Sequence, residues 1–253
     1  MDRDDGCRQL SAPEIHVLLR GPKTPDSQAI KLALKELVVR RHLRIEPVQK
    51  RSFLSWKRSK VVFVQGSSTE TPCGQVLQAV NWVFESARLE SSSSLQGMIE
   101  EHLAEMKTRS GGGRLSLRDA FRIPETAHVP LSIVLPDGTT GVPLDELAAA
   151  VMRKYRKKSG AISTNSTRTF VQSVVFPSLE RWGLAKSDGT LTVQGSEAKI
   201  DLQALTAEAN LSIEKETVSD WLRAQSADIP GIDALFRTID KAVDQGWNQV
   251  YGD

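Results

Sequence analysis

Cysteine is nearly absent from this chain: two in 253 residues, Cys7 and Cys73, neither in a Cys-x-x-Cys pair. Read as lone thiols they exclude a disulfide scaffold and point to a reducing cytoplasm as the expected setting. Long apolar runs are missing too. None approaches the roughly 20 residues of a membrane span, so no transmembrane segment is expected, and Met1-Asp2-Arg3-Asp4-Asp5 leads into no signal-peptide core. The four histidines (His16, His42, His102, His128) are dispersed, with no His-Glu-x-x-His spacing to suggest zinc. No Gly-x-Ser-x-Gly elbow, Gly-x-Gly-x-x-Gly turn or Walker ending occurs. These gaps predict a protein without catalytic residues, metal or cofactor.

What the chain does have is an ordinary globular balance, 40% hydrophobic and 25% charged, with apolar residues spread along most of its length. A net charge of +2 conceals an asymmetry. Residues 14–60 carry twelve Lys/Arg against four acids, an excess of eight, which leaves the remainder at −6. Such a module favours an anionic partner, whether nucleic acid, lipid headgroups or an acidic protein face.

Helix signals are clear at the start. Ser11-x-x-Glu14 has capping-box spacing, and Gly21-Pro22 stops the helix that follows. Thr24-Pro25 reads as an N-cap with proline at the first helical position. The next helix buries Ile30, Leu34, Leu37 and Val38 and runs to about Arg41. β-formers at 43–48 and 60–65 predict a hairpin whose loop carries Phe53, Leu54 and Trp56. Helices are expected at about 74–87 and 95–107, then the Gly-rich stretch 109–115, which reads as a linker. Beyond it come a strand at 131–135, a Pro136-Asp137-Gly138 turn and a helix from Pro143 to Lys157. A helix at 167–182, bent near Pro177, leads to an Asp188-Gly189 hairpin turn. Helices at about 197–207, 213–224 and 231–250 close the chain.

Two stretches, 26–64 and 167–195, therefore read alike, as an apolar helix followed by a β-ribbon. The domains expected are a basic module at 1–66, a helical connector at 67–108, the linker at 109–115 and a second module at 116–253. The fold class is α+β, mostly helical, with two helix–hairpin modules joined by helices. Candidate anion- or nucleic-acid-binding residues are Arg40, Arg41, Arg44, Lys50, Arg51, Trp56, Lys57, Arg58 and Lys60, where basic side chains alternate with aromatics. Arg168 joins them, because Thr164, Asn165, Thr167 and Arg168 would face a groove if they opened a recognition helix. The run Arg153 to Lys158 complements a helix C-terminus as well as it would a ligand.

The units at 11–65 and 143–195 resemble the winged-helix superfamily. Leu18-Leu19-Arg20-Gly21 with Leu34-x-x-Leu37-Val38-x-Arg40-x-x-Leu43-x-Ile45-Glu46 also resembles the Golgi phosphoprotein 3 family and its bacterial relatives. It is similar, too, to cytoplasmic winged-helix tails of some bacterial membrane proteins. The Golgi family likeness implies phosphoinositide headgroup binding, and no site residue is carried over from it. The expected function is non-enzymatic binding or regulation, with nucleic acid the leading ligand. A peripheral membrane adaptor on anionic lipid, or a scaffold binding a protein partner or a second copy of the chain, is the alternative.

Overall fold

A computed structural model describes residues 9–48, 60–88, 132–155, 169–208 and 217–252. They form a mostly helical α+β structure with one small antiparallel sheet. Helix α1, Ala12–Arg20, opens on the expected capping box: the Ser11 backbone N–H donates to Glu14 Oε2 at 2.7 Å. Gly21, at φ 83°, turns the chain out of it. Helix α2, Asp26–Val39, begins one residue later than the Thr24-Pro25 reading, with Pro25 at the cap. The Thr24 hydroxyl donates backwards to the Gly21 carbonyl at 2.9 Å, so it closes the preceding turn instead of capping α2.

Strands β1, Leu43–Val48, and β2, Lys60–Gln65, pair as the hairpin expected, from Leu43↔Gln65 to Val48↔Lys60. Helix α3 covers 75–88. Strands β3, Ile133–Val134, and β4, Thr140–Pro143, form a second hairpin around the Asp137 turn. The sheet order is β1-β2-β4-β3, because β4 pairs with β2 at Val62↔Pro143 and Phe63↔Val142. Residues 140–143 carried no strand signal of their own.

Helix α4, Leu144–Tyr155, follows. The helix expected across Pro177 is present from Phe170, and its irregularity is a π-helical turn, Val171–Val175, leading into α5, Phe176–Arg181. The widened turn, with Phe176 N–H bonded to the Val171 carbonyl, lies immediately before the proline that lacks a donor. Helices α6, Val193–Glu208, α7, Thr217–Gln225, and α8, Ile232–Tyr251, complete the described chain. Helix α6 starts four residues earlier than its sequence suggested, and takes up part of the ribbon expected before it.

One cluster of buried apolar residues runs from Ala12 to Val243 and joins both ends of the chain. Helix α8 crosses α4 closely at Gly246, where an added Cβ would meet the Asp145 carbonyl at 2.6 Å and Ala148 Cβ at 3.0 Å. Buried carboxylates tie other elements together. Asp26 accepts the Phe170 and Val171 N–H groups at 2.8 and 2.9 Å, so a residue at the start of α2 caps the helix beginning near 170. Glu36 accepts the Ala12 N–H at 2.7 Å, and Ser178 donates to Glu14. Cys73 is disulfide-bonded, which corrects its reading as a lone thiol. Cys7 and the Gly-rich stretch 109–115 lie outside the described residues.

The two stretches that read alike share a physical ending. At 37–42, His42 N–H reaches the Leu37 carbonyl at 2.9 Å and Arg41 N–H the Val38 carbonyl at 3.0 Å. At 179–184, Leu184 N–H reaches Leu179 at 2.9 Å and Gly183 N–H reaches Glu180 at 2.9 Å. Both are Schellman turns with a left-handed residue, Arg41 at φ 60° and Gly183 at φ 69°. Each then starts a ribbon, Leu43↔Gln65 in one and Ala185↔Leu191 in the other. In the second unit that single bridge is all of the ribbon that forms around the Asp188-Gly189 turn.

A groove between the first hairpin and the turn before α8

Val38 and Leu43 are buried at the end of α2 and the start of β1, and the chain must reverse between them. The Schellman turn does this with arginine where glycine is the usual choice. A left-handed backbone costs a non-glycine residue roughly 1–2 kcal/mol. The turn is held from outside: the Arg41 carbonyl accepts the Ser68 N–H at 2.9 Å and the His42 carbonyl accepts the Gly66 N–H at 2.9 Å. Gly66 is required there, since a Cβ would strike the Arg41 carbonyl.

Facing this corner is the turn between α7 and α8. Ser226 fixes it, with its hydroxyl donating to the Leu222 carbonyl at 2.8 Å and its own carbonyl accepting the Ile229 N–H at 2.9 Å. Gly231 at φ 70° starts α8. Between the two walls lies a groove of about 360 Å³. Val38, Leu43, Ile45, Ile229, Pro230 and Leu235 supply an apolar lining, with Arg41, Arg44 and Asp228 the charged members. Arg41 reaches across to Asp228 at 2.7 Å, both side chains being well exposed, 62% and 64%.

The sequence candidates separate clearly. Arg41 and Arg44 come together on this groove. Arg44 also pairs with Glu46 on its own strand at 2.5 Å. Arg40 does not join them: its guanidinium holds buried Glu36 Oε1 at 2.7–2.8 Å and serves the α1–α2 packing. Burial pushes the Glu36 carboxyl up, against the pull of Arg40 and the Ala12 N–H. Behind the turn, burial lowers His42, and the Arg40 charge adds to that effect. Lys60 opens β2 opposite Val48. Lys50, Arg51, Trp56, Lys57, Arg58 and Arg168 lie outside the described residues, as do Phe53 and Leu54.

The far wall was not foreseen. Asp228, Ile229, Pro230 and Leu235 sit some 190 residues along the chain from Arg41, and no local pattern marks them. The aromatic cleft of about 290 Å³ between Pro22–Asp26 and Trp247/Tyr251 was likewise unmarked. Asp26 on its rim already gives both carboxylate oxygens to backbone donors.

Among the described residues no group of three or more His, Cys, Asp or Glu is placed to hold a metal ion, and no helix is long and apolar enough to cross a membrane. The comparisons with known proteins find none that matches: no family model, no curated protein and no solved structure.

Proposed function

We propose that this is a non-enzymatic binding protein whose ligand is an acidic segment of a partner protein, taken in the groove between β1 and the α7–α8 turn. The observation that carries the reading is the placement of two exposed guanidiniums, Arg41 and Arg44, beside an apolar lining. Guanidinium forks recognise carboxylates well, and Arg41 already holds one, that of Asp228. Apolar walls suit the side chains flanking an acidic residue, whereas a phosphate backbone offers them nothing to cover.

A second reading, nucleic-acid binding, draws on the excess of eight positive charges in residues 14–60. Fluorescence anisotropy separates the two, using a glutamate-rich synthetic peptide, a short DNA duplex and anionic against neutral vesicles at about 50 mM salt. The peptide is expected to bind the wild type and to bind the Arg41→Ala/Arg44→Ala variant several-fold more weakly. Binding of the duplex or of anionic vesicles without the peptide overturns the reading, as does peptide binding that ignores both arginines.

A further inference from the structure

Three segments far apart in the chain meet at the aromatic cleft of about 290 Å³ near the end of α8. The turn between α1 and α2 brings Pro22, Lys23 and Pro25, the helix beginning near 170 brings Gln172, and α8 brings Trp247 and Tyr251. Positions 247 and 251 are about one helical turn apart, so their side chains share a face. Their ring centroids lie 4.1 Å apart at a tilt of 33°. Both residues are half-buried and packed against the core, which fixes the rings as one wall. Proline fixes its own φ, so the turn carrying Pro22 and Pro25 is a stiff neighbour.

The polar groups on offer in the cleft are chiefly donors. Trp247 has an indole N–H that makes no hydrogen bond among the described residues. The exposed Lys23 ammonium makes no ion pair among them. Gln172 adds an exposed side-chain amide. Asp26, the one acid in the lining, is 5% exposed and already holds the Phe170 and Val171 N–H groups with its two carboxylate oxygens. A ligand therefore meets rings and donors, and no free carboxylate.

We propose that this cleft is a second docking site, independent of the groove beside β1, and that it takes a proline-rich segment of a partner protein in the polyproline II conformation. Such a segment is the chemical converse of the cleft. It carries rings and carbonyl acceptors, and its prolines have no N–H to satisfy. Its backbone makes no internal hydrogen bonds, so the carbonyls are open to Trp247 and Lys23. Stiff pyrrolidine rings cover the aromatic wall with little chain entropy left to lose. An ordinary peptide segment would bring an N–H at every residue to a lining that has no free carboxylate. A cationic ligand would meet the Lys23 ammonium beside the rings instead of an acid.

The test is fluorescence anisotropy of the full chain with labelled decaproline, a Gly/Ser decapeptide and a ten-residue oligothymidylate. Decaproline is expected to bind, and the flexible Gly/Ser peptide to bind about tenfold more weakly or not at all. Trp247→Phe keeps a ring and removes the N–H, and is expected to weaken decaproline about three- to tenfold, the range of one hydrogen bond. Lys23→Ala, at an exposed turn position, is expected to weaken it about twofold and keeps the test open should Trp247→Phe fold poorly. Decaproline that binds no better than the Gly/Ser peptide overturns the proposal. So does decaproline binding that ignores both substitutions in variants that melt like the wild type. Oligothymidylate that binds while decaproline does not overturns it as well. Acidic-peptide binding at the other groove is measured separately, so either site can fail alone.

Discussion

Lys35 and Asp240 meet across the packing of α2 on α8, the ammonium 2.7 Å from one carboxylate oxygen and 2.9 Å from the other. Lys35 is 3% exposed, touches the Ser219 hydroxyl at 3.2 Å and lies 5.1 Å from the centre of the Phe236 ring. Burial lowers its pKa while the Asp240 bond opposes that shift. Removing the carboxylate strands a buried cation. Asp240→Asn is expected to cost about 1–3 kcal/mol in urea unfolding. Lys35→Met added to it should recover most of that loss, because no charge then remains unpaired.

His16 supplies a pH dependence. Burial, helped by the positive charge of Arg20, lowers its pKa from 6.5 to about 4. The unfolded chain therefore binds the proton more readily than the folded one. Stability from this group is complete above pH 6.5 and declines as the pH falls towards 4, by at most about 3 kcal/mol. Urea midpoints between pH 7 and pH 4 should show the decline in the wild type and less of it in His16→Gln.

Gly246 sets how closely α4 and α8 approach. Alanine there would gain roughly 1 kcal/mol of helix propensity yet must push against the Asp145 carbonyl at 2.6 Å. Backbone yields poorly, so Gly246→Ala is expected to lose about 1–2 kcal/mol net, and Gly246→Val more. Thermal unfolding of both against Gln245→Ala, an exposed site on the same helix, checks the order.

Arg41 and Gly183 occupy matching left-handed positions, which allows an exchange experiment. Arg41→Gly relieves the backbone and loses one exposed ion pair. It is expected to be neutral or stabilising by about 0.5 kcal/mol, while weakening acidic peptides. Gly183→Arg is expected to destabilise by about 1 kcal/mol. A clear loss of stability in Arg41→Gly would show that the arginine holds the turn together.

The Cys73 disulfide predicts a simple mass-spectrometric outcome. Iodoacetamide should label Cys73 only after reduction, and labelling before reduction would contradict the bond.

Local chemistry was legible in the sequence. Ser11 with Glu14, the β1/β2 hairpin, the Asp137 turn and the closing helix α8 all depend on neighbours a few residues apart, which periodicity and capping report. Thr24 and the start of α6 went astray because competing turn bonds decide such boundaries by small energies. The contacts that bind the fold together were not legible. Asp26 caps the helix beginning near residue 170, Lys35 reaches Asp240, and Asp228 faces Arg41. Each joins residues more than a hundred positions apart, and an aspartate on an amphipathic helix looks the same in sequence whether its partner is water or a distant backbone. The candidate site divided for the same reason: Arg40 and Arg41 are adjacent, yet one turns inward to Glu36 and the other outward.

The seam between β2 and β4 has a consequence for biogenesis. Emerging from the ribosome, the first hairpin must wait for residues 140–143 before its second flank is covered, and the outward backbone of Phe63 stays available to any passing strand meanwhile. A truncated product ending near Gly66 would keep that flank bare and is expected to self-associate, so the nascent chain's early hairpin is where chaperone protection would matter most.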